Sequence, residues 1–149
     1  LEVLQWARAN GCPWKDSTCC YAAKAGKLDM LQWARANGCP WRFDECMEAA
    51  AGGGHLEVLQ WARANGFPWA RDTCKCAAQC GKLEVLQWAR ANGCPWDEWT
   101  CDAAAGWGHL EVLQWARANG CPWDAEMCKW GARLMEHLDV LDWIQANER

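Results

Sequence analysis

Leu1-Glu2-Val3-Leu4-Gln5-Trp6-Ala7-Arg8-Ala9-Asn10-Gly11-Cys12-Pro13-Trp14 opens the chain, and the same block returns with few changes from Leu28, Leu56, Leu83 and Leu110. A decayed copy begins at Leu138, so the intervals are 27, 28, 27, 27 and 28 residues. A fixed period of about 20–50 residues marks an array of stacked supersecondary units. Each unit is too small to bury its apolar face alone, so neighbours must cover one another and build one continuous core. That organisation favours a scaffold with a long surface over an enzyme with one pocket.

The block reads as the second helix of its unit. From Leu110 to Gly120, Val112, Leu113, Trp115 and Ala116 form a wide apolar face, while Glu111, Gln114 and Arg117 form a polar stripe. Asn119-Gly120 ends the helix, with glycine suited to the left-handed position past the C-cap, and Pro122 blocks continuation. The same stop recurs at Gly11, Gly38, Gly66 and Gly93. A shorter first helix precedes it, roughly Trp99 to Ala105 in the fourth unit. Ser17, Asp44 and Asp72 stand two residues before its cysteine in three units and are candidate N-caps. Small residues dominate it (Ala22-Ala23, Ala49-Ala50, Ala77-Ala78, Ala103 to Ala105), which lets helices approach closely. A glycine turn (Gly26, Gly54, Gly81, Gly108) leads back into the second helix. The two 28-residue intervals are read as turns one residue longer, at Ala51–His55 and Arg133–His137. The fold expected is all-α, a solenoid of stacked antiparallel helix hairpins.

Hydrophobic residues make up 52% of the 149, which argues against disorder. No apolar run approaches the roughly 18 residues of a membrane helix. With 15 basic and 19 acidic residues the formal charge is −4, against the basic surface that nucleic acid demands. The sequence opens in mid-repeat without Met and reads as an excerpt, its N-terminus cut. The copy from Leu138 to Arg149 has lost Cys-Pro-Trp and gained Asp142, Gln145 and Glu148, the polar outer face expected of a terminal cap. Residues 1–149 therefore read as one array, with repeat starts near 1, 28, 56, 83, 110 and 138.

The run Ala104-Ala105-Gly106-Trp107-Gly108-His109-Leu110-Glu111-Val112-Leu113 resembles the ankyrin core pattern Ala-Ala-x-x-Gly-His-Leu-Glu-Val-Val. The resemblance covers essentially the whole chain. It departs from the family in its period, about 33 residues in ordinary ankyrin repeats, and in the Thr-Pro-Leu-His opening, reduced here to versions of x-Thr-Cys. The missing residues fall between Gly120 and Asp124, where ankyrins carry a projecting β-hairpin, so those hairpins are expected to be shortened or absent. Such shortened, Trp- and Cys-rich repeats resemble those in tandem arrays of giant DNA viruses and protists. The alternative is an unrelated α-hairpin solenoid. The resemblance implies a concave binding face lined by the first helices, and a protein-interaction role.

Several residue columns invite chemistry. Cys19, Cys46, Cys74, Cys101 and Cys128 recur in the first helix, and Cys12, Cys39, Cys94 and Cys121 in the turn, each seven residues before a helix cysteine. Zinc, disulfides and buried thiols are the readings. Phe67 replaces the turn cysteine while Cys74 persists, which favours an apolar niche. Cys20, Cys76 and Cys80 fall outside both columns. Tryptophans form a second-helix column (Trp6, Trp33, Trp61, Trp88, Trp115, Trp143) and a turn column (Trp14, Trp41, Trp69, Trp96, Trp123), read as inter-repeat packing of each with its own copy or as an exposed stacking ladder. Arg8, Arg35, Arg63, Arg90 and Arg117 make a basic line, either solvated or able to read a polyanion. His55, His109 and His137 precede the second helix where Lys27 and Lys82 stand in other copies, which points to capping rather than catalysis. No triad, paired carboxylates or phosphate loop recurs. No catalytic residue, metal site or cofactor is expected.

The copies differ most in the first helix and the residues after Pro-Trp. The candidate partner-binding residues are Tyr21, Lys24, Phe43, Glu48, Lys75, Gln79, Trp99, Asp102, Trp107, Lys129, Trp130 and Arg133, a mix suited to protein contacts. Trp99, Trp107 and Trp130, in the C-terminal repeats, belong to no column and form the expected centre. The function expected is a non-enzymatic protein–protein interaction scaffold, cytoplasmic, or extracellular if the cysteines are disulfide-bonded. The alternative is a structural protein stacking end to end into a filament. No nucleic-acid or membrane partner is expected.

Overall fold

The computed structural model describes residues 1–15 and 17–148; Arg149, the last residue of the expected cap, lies outside the described residues. Among these the chain is all-helical, with eleven helices and no strand: α1 (Glu2–Ala9), α2 (Thr18–Lys24), α3 (Leu28–Ala36), α4 (Phe43–Gly53), α5 (Leu56–Ala64), α6 (Thr73–Gln79), α7 (Leu83–Ala91), α8 (Glu98–Gly106), α9 (Leu110–Ala118), α10 (Ala125–Leu134) and α11 (Leu138–Asn147). No helix is long and apolar enough to cross a membrane.

Two kinds of close packing connect them. The first helices pack in sequence, α2 on α4, α4 on α6, α6 on α8 and α8 on α10. Each also packs on the second helix that follows it, as in α2 with α3 and α10 with α11. Small side chains explain the first set, since Ala23, Ala50, Ala78, Ala105 and Ala132 are fully buried and leave little between the backbones. On the second helices, Leu31, Leu59, Leu86, Leu113 and Ile144 fill the core, each burial stabilising by about 1.5–3 kcal/mol.

The helix stops are as the sequence indicated. Gly38, Gly66, Gly93 and Gly120 have φ between +77° and +80°, and the next residue's N–H returns to a carbonyl five residues back, as Cys94 does to Ala89 (2.9 Å). The asparagine before each glycine adds a bond from Nδ2 to the tryptophan carbonyl four residues back. At the other turn Gly26, Gly54, Gly81 and Gly108 also have positive φ; in the last full unit Glu136 takes that place at φ 60°.

Three local expectations are corrected. Ser17 and Asp72 stand at N-caps without a side-chain cap bond, and Asp44 lies inside the first turn of α4. Asp124 is the carboxylate that caps, accepting from the N–H groups of Glu126 (2.9 Å) and Met127 (3.1 Å). The longer intervals do not come from longer turns: α4 and α10 are themselves longer, 11 and 10 residues against 7 in α6.

Candidate functional site

The repeated residues spend their chemistry on one another. Each turn tryptophan meets the second-helix tryptophan of the next unit edge-on: Trp14 with Trp33, Trp41 with Trp61, Trp69 with Trp88, Trp96 with Trp115 and Trp123 with Trp143, ring centres 5.6–6.2 Å apart. The two columns therefore alternate, where each had been expected to pack on its own copies. Every arginine of the basic line lies over a turn tryptophan, from Arg90 over Trp96 at 4.2 Å to Arg35 over Trp41 at 5.0 Å. Each also donates to the carbonyl four residues on, as Arg35 does to Cys39 (2.9 Å) and Arg117 to Cys121. These guanidiniums tie helix, turn and neighbouring unit together; they are not a free ladder for a polyanion. None of the three histidines caps its own helix through its side chain, and two of them bridge units. His55 Nε2 bonds the Lys24 carbonyl (2.7 Å) and His109 Nε2 the Gln79 carbonyl (3.0 Å).

The cysteines divide in a way their spacing does not suggest. Helix thiols pair with the turn thiol twenty residues later, Cys19 with Cys39, Cys74 with Cys94 and Cys101 with Cys121, and the turn thiols donate to backbone carbonyls, as Cys121 does to Asp97 (3.4 Å). Burial, then Cys39, pushes the Cys19 thiol up to about 12. Hydrogen bonding to Cys94 and burial push Cys74 up, while the bond from Cys74 and the nearby Arg90 hold Cys94 below the ordinary thiol range. Cys46 has Phe67 where a turn thiol would sit, and it is joined to Cys20 in a disulfide across α2 and α4. That bond corrects the expectation for these two residues. The other ten cysteines are free, seven of them buried. Among the described residues no three His, Cys, Asp or Glu side chains come together as a metal-binding group.

Phe67 also removes a candidate from the surface. Phe43 stacks on Phe67 (5.3 Å) and Trp41 (5.9 Å), so it belongs to the packing. Lys129 is likewise buried, its ammonium held by Glu126 (2.5 Å) and Glu148 (2.6 Å), which raise its pKa. Glu48 is half-buried and accepts weakly from the Asp72 N–H (3.4 Å); burial raises its carboxyl. Lys24, Glu48 and Gln79 line one shallow depression with Cys76 and Cys80. Tyr21 and Arg133 are exposed singly, and Lys75 is half-buried on α6.

The remaining candidates converge on the face between α8 and α10. Trp99, Trp107 and Trp130 are 48%, 53% and 62% exposed. Trp99 and Trp107 belong to one unit, and Trp130 to the next. Two depressions lie between the helices and share Asp102. One, of about 280 Å³, is lined by Glu98, Trp99, Asp102, Asp124 and Met127. The other, of about 210 Å³, runs past Trp107 and Trp130 to Leu134 and Met135. Trp99, Asp102 and Gly106 are spaced i, i+3, i+7 along one face of α8. Gly131 faces Gly106 so closely that a Cβ on Gly131 would come 3.2 Å from the Gly106 Cα, and 3.7 Å from Asp102 Oδ1. Alanine fills the Gly131 column in the other units (Ala22, Ala49, Ala77, Ala104), a break that the repeat comparison could have flagged. Burial, and after it the charge of Asp124, raises the Asp102 carboxyl. Among the described residues neither acid, nor Glu98, forms an ion pair. The chain matches no protein-family model, and no curated protein matches it in sequence.

Proposed function

We propose that the chain is an ankyrin-like solenoid acting as a protein–protein interaction scaffold, without catalysis, whose partner lies on the first-helix face at α8 and α10. One observation carries the reading. Beyond the first copy the repeated Trp and Arg residues are engaged with each other and most of the repeated Cys are buried, whereas Trp99, Met127, Trp107, Trp130, Leu134 and Met135 leave a run of large apolar side chains in water. Apolar patches rimmed by polar groups mark contact sites, and Trp is a frequent anchor. Alanine between the first helices and tryptophan between the second would splay the units and leave the first-helix side concave, as the ankyrin resemblance implies. Ten free thiols favour a reducing, intracellular compartment, while the single Cys20–Cys46 disulfide is of the kind an oxidising one preserves. The test is selection of peptides from a displayed random library on the wild-type protein. Binders that fail on W99A/W107A/W130A, with that variant still folded, support the reading; a library that yields no binder sensitive to this variant contradicts it.

End-to-end stacking is a second reading, favoured by the near-identity of successive copies of the repeat. Sedimentation that stays monomeric over a wide concentration range would remove it.

A further inference from the structure

The first depression between α8 and α10 carries charge as well as apolar surface, and the charges in its lining are all acidic, with Lys75 of α6 the cation that acts on Asp102 from outside it. Glu98, Asp102 and Asp124 line the first depression beside Trp99 and Met127, with no cation bonded to any of them among the described residues. Asp124 uses Oδ1 for the α10 cap, and its other oxygen is left for a ligand. Lys129, the nearest cation in sequence on α10, is spent on Glu126 and Glu148. At about 280 Å³ the depression falls below the roughly 300–1,000 Å³ of small-molecule sites, a size suited to one long side chain. Past Asp102 the floor changes character and becomes apolar, from Trp107 and Trp130 to Leu134 and Met135.

Resting on the scaffold reading above, we propose that this groove takes a segment of a partner protein that presents an arginine to Asp102 with an apolar residue beside it. A guanidinium has a flat face for the Trp99 ring and a fork of donors for a carboxylate; an ammonium offers neither plane nor fork. The molecule makes the same kind of contact internally, with five arginines lying 4.2–5.0 Å from indole ring centres. The turn tryptophans have their arginines. Trp99 has none. Neutralising Asp102 beside Asp124 also relieves the repulsion between the two carboxylates, so charge complementarity favours a cation there over an extended apolar chain alone. The aliphatic neighbour would lie against Trp107 and Trp130, where it covers surface otherwise left in water.

The probe is the random peptide library displayed on phage, selected on wild-type protein and counter-selected on W99A/W107A/W130A. Groove-dependent peptides should be enriched in arginine adjacent to Leu, Ile, Val or Phe. Synthetic copies with citrulline in place of that arginine should bind about tenfold or more weakly, and D102N should cost a similar factor while the fold, read by circular dichroism, stays intact. Groove-dependent peptides without arginine, or equal binding by the citrulline copies or by D102N, overturn this inference and leave the scaffold reading standing. Failure to select any groove-dependent peptide sinks both. Dimerisation of the wild type abolished by D102N would assign the groove to a second copy of the chain, and so also overturns it.

Discussion

Exchanging residues within one column of turns should move stability in opposite directions. Gly26, Gly54, Gly81 and Gly108 hold φ between 64° and 80°, and Glu136 holds φ 60° at the equivalent place before α11. A side chain in the left-handed region costs about 1–2 kcal/mol relative to its ordinary conformations. Glycine there would avoid that cost but lose about 0.5–1 kcal/mol through greater freedom in the unfolded chain. Glu136→Gly should therefore stabilise by about 0.5–1 kcal/mol, an increase of about 1–4 °C in Tm for a chain of this size. Gly108→Glu should do the reverse and more. It adds the same strain, and its Cβ would meet the His137 ring at 2.5 Å, which forces that ring out of its place against the turn. A loss of at least about 1–2 kcal/mol is expected. Thermal and urea denaturation, followed by helical circular dichroism, measures both. A neutral or destabilising Glu136→Gly, or an unchanged Gly108→Glu, would refute the argument from backbone conformation.

Replacing Trp99, Trp107 and Trp130 with Ala should leave the thermal midpoint nearly unchanged, because all three are about half exposed or more; a drop comparable to a core deletion would make them structural. Arg117→Ala removes a guanidinium over Trp123 and its bond to the Cys121 carbonyl, and should destabilise by about 1–2 kcal/mol in urea titrations. Thiol titration in denaturant without reductant should count ten free groups and one disulfide, with peptide mapping joining Cys20 to Cys46. Burial holds the Cys19 and Cys128 thiols up at about 12, so their stabilisation is full below the unfolded thiol pKa of about 8.5 and is lost as pH rises from there towards 12. The urea midpoint should fall between pH 8 and 11, less steeply in Cys128→Ala; equal slopes would contradict the burial argument.

The all-helical character and the helix ends were legible because they depend on local chemistry repeated five times. Asn-Gly-x-Pro stops a helix wherever it occurs, and period and alanine content announced two helices per unit. Pairings across units were less legible. The seven-residue spacing of the cysteines hid a contact twenty residues long, since the turn returns to the preceding helix. The Phe67 substitution signalled an apolar niche, but its effects on Cys46, Phe43 and Trp41 require the stacked geometry. Lys129 looked like a surface variant because its partner Glu148 lies a full helix away. The centre of the candidate site was found by comparing repeats, for Trp99, Asp102, Trp107 and Trp130 all depart from their columns. Gly131 and Met127 were overlooked: the first matters through what it leaves empty, the second through the depression it borders.

Oxidative footprinting of the fourteen tryptophans separates framework from binding face most directly. In the free protein Trp6, Trp99, Trp107 and Trp130 should react quickly and the ten paired tryptophans slowly. With a bound peptide selected as above, protection should fall on Trp99, Trp107 and Trp130 and leave Trp6 reactive. Protection of Trp6 alone, or rapid reaction throughout the paired columns, would contradict the division between a self-engaged framework and a partner face on α8 and α10.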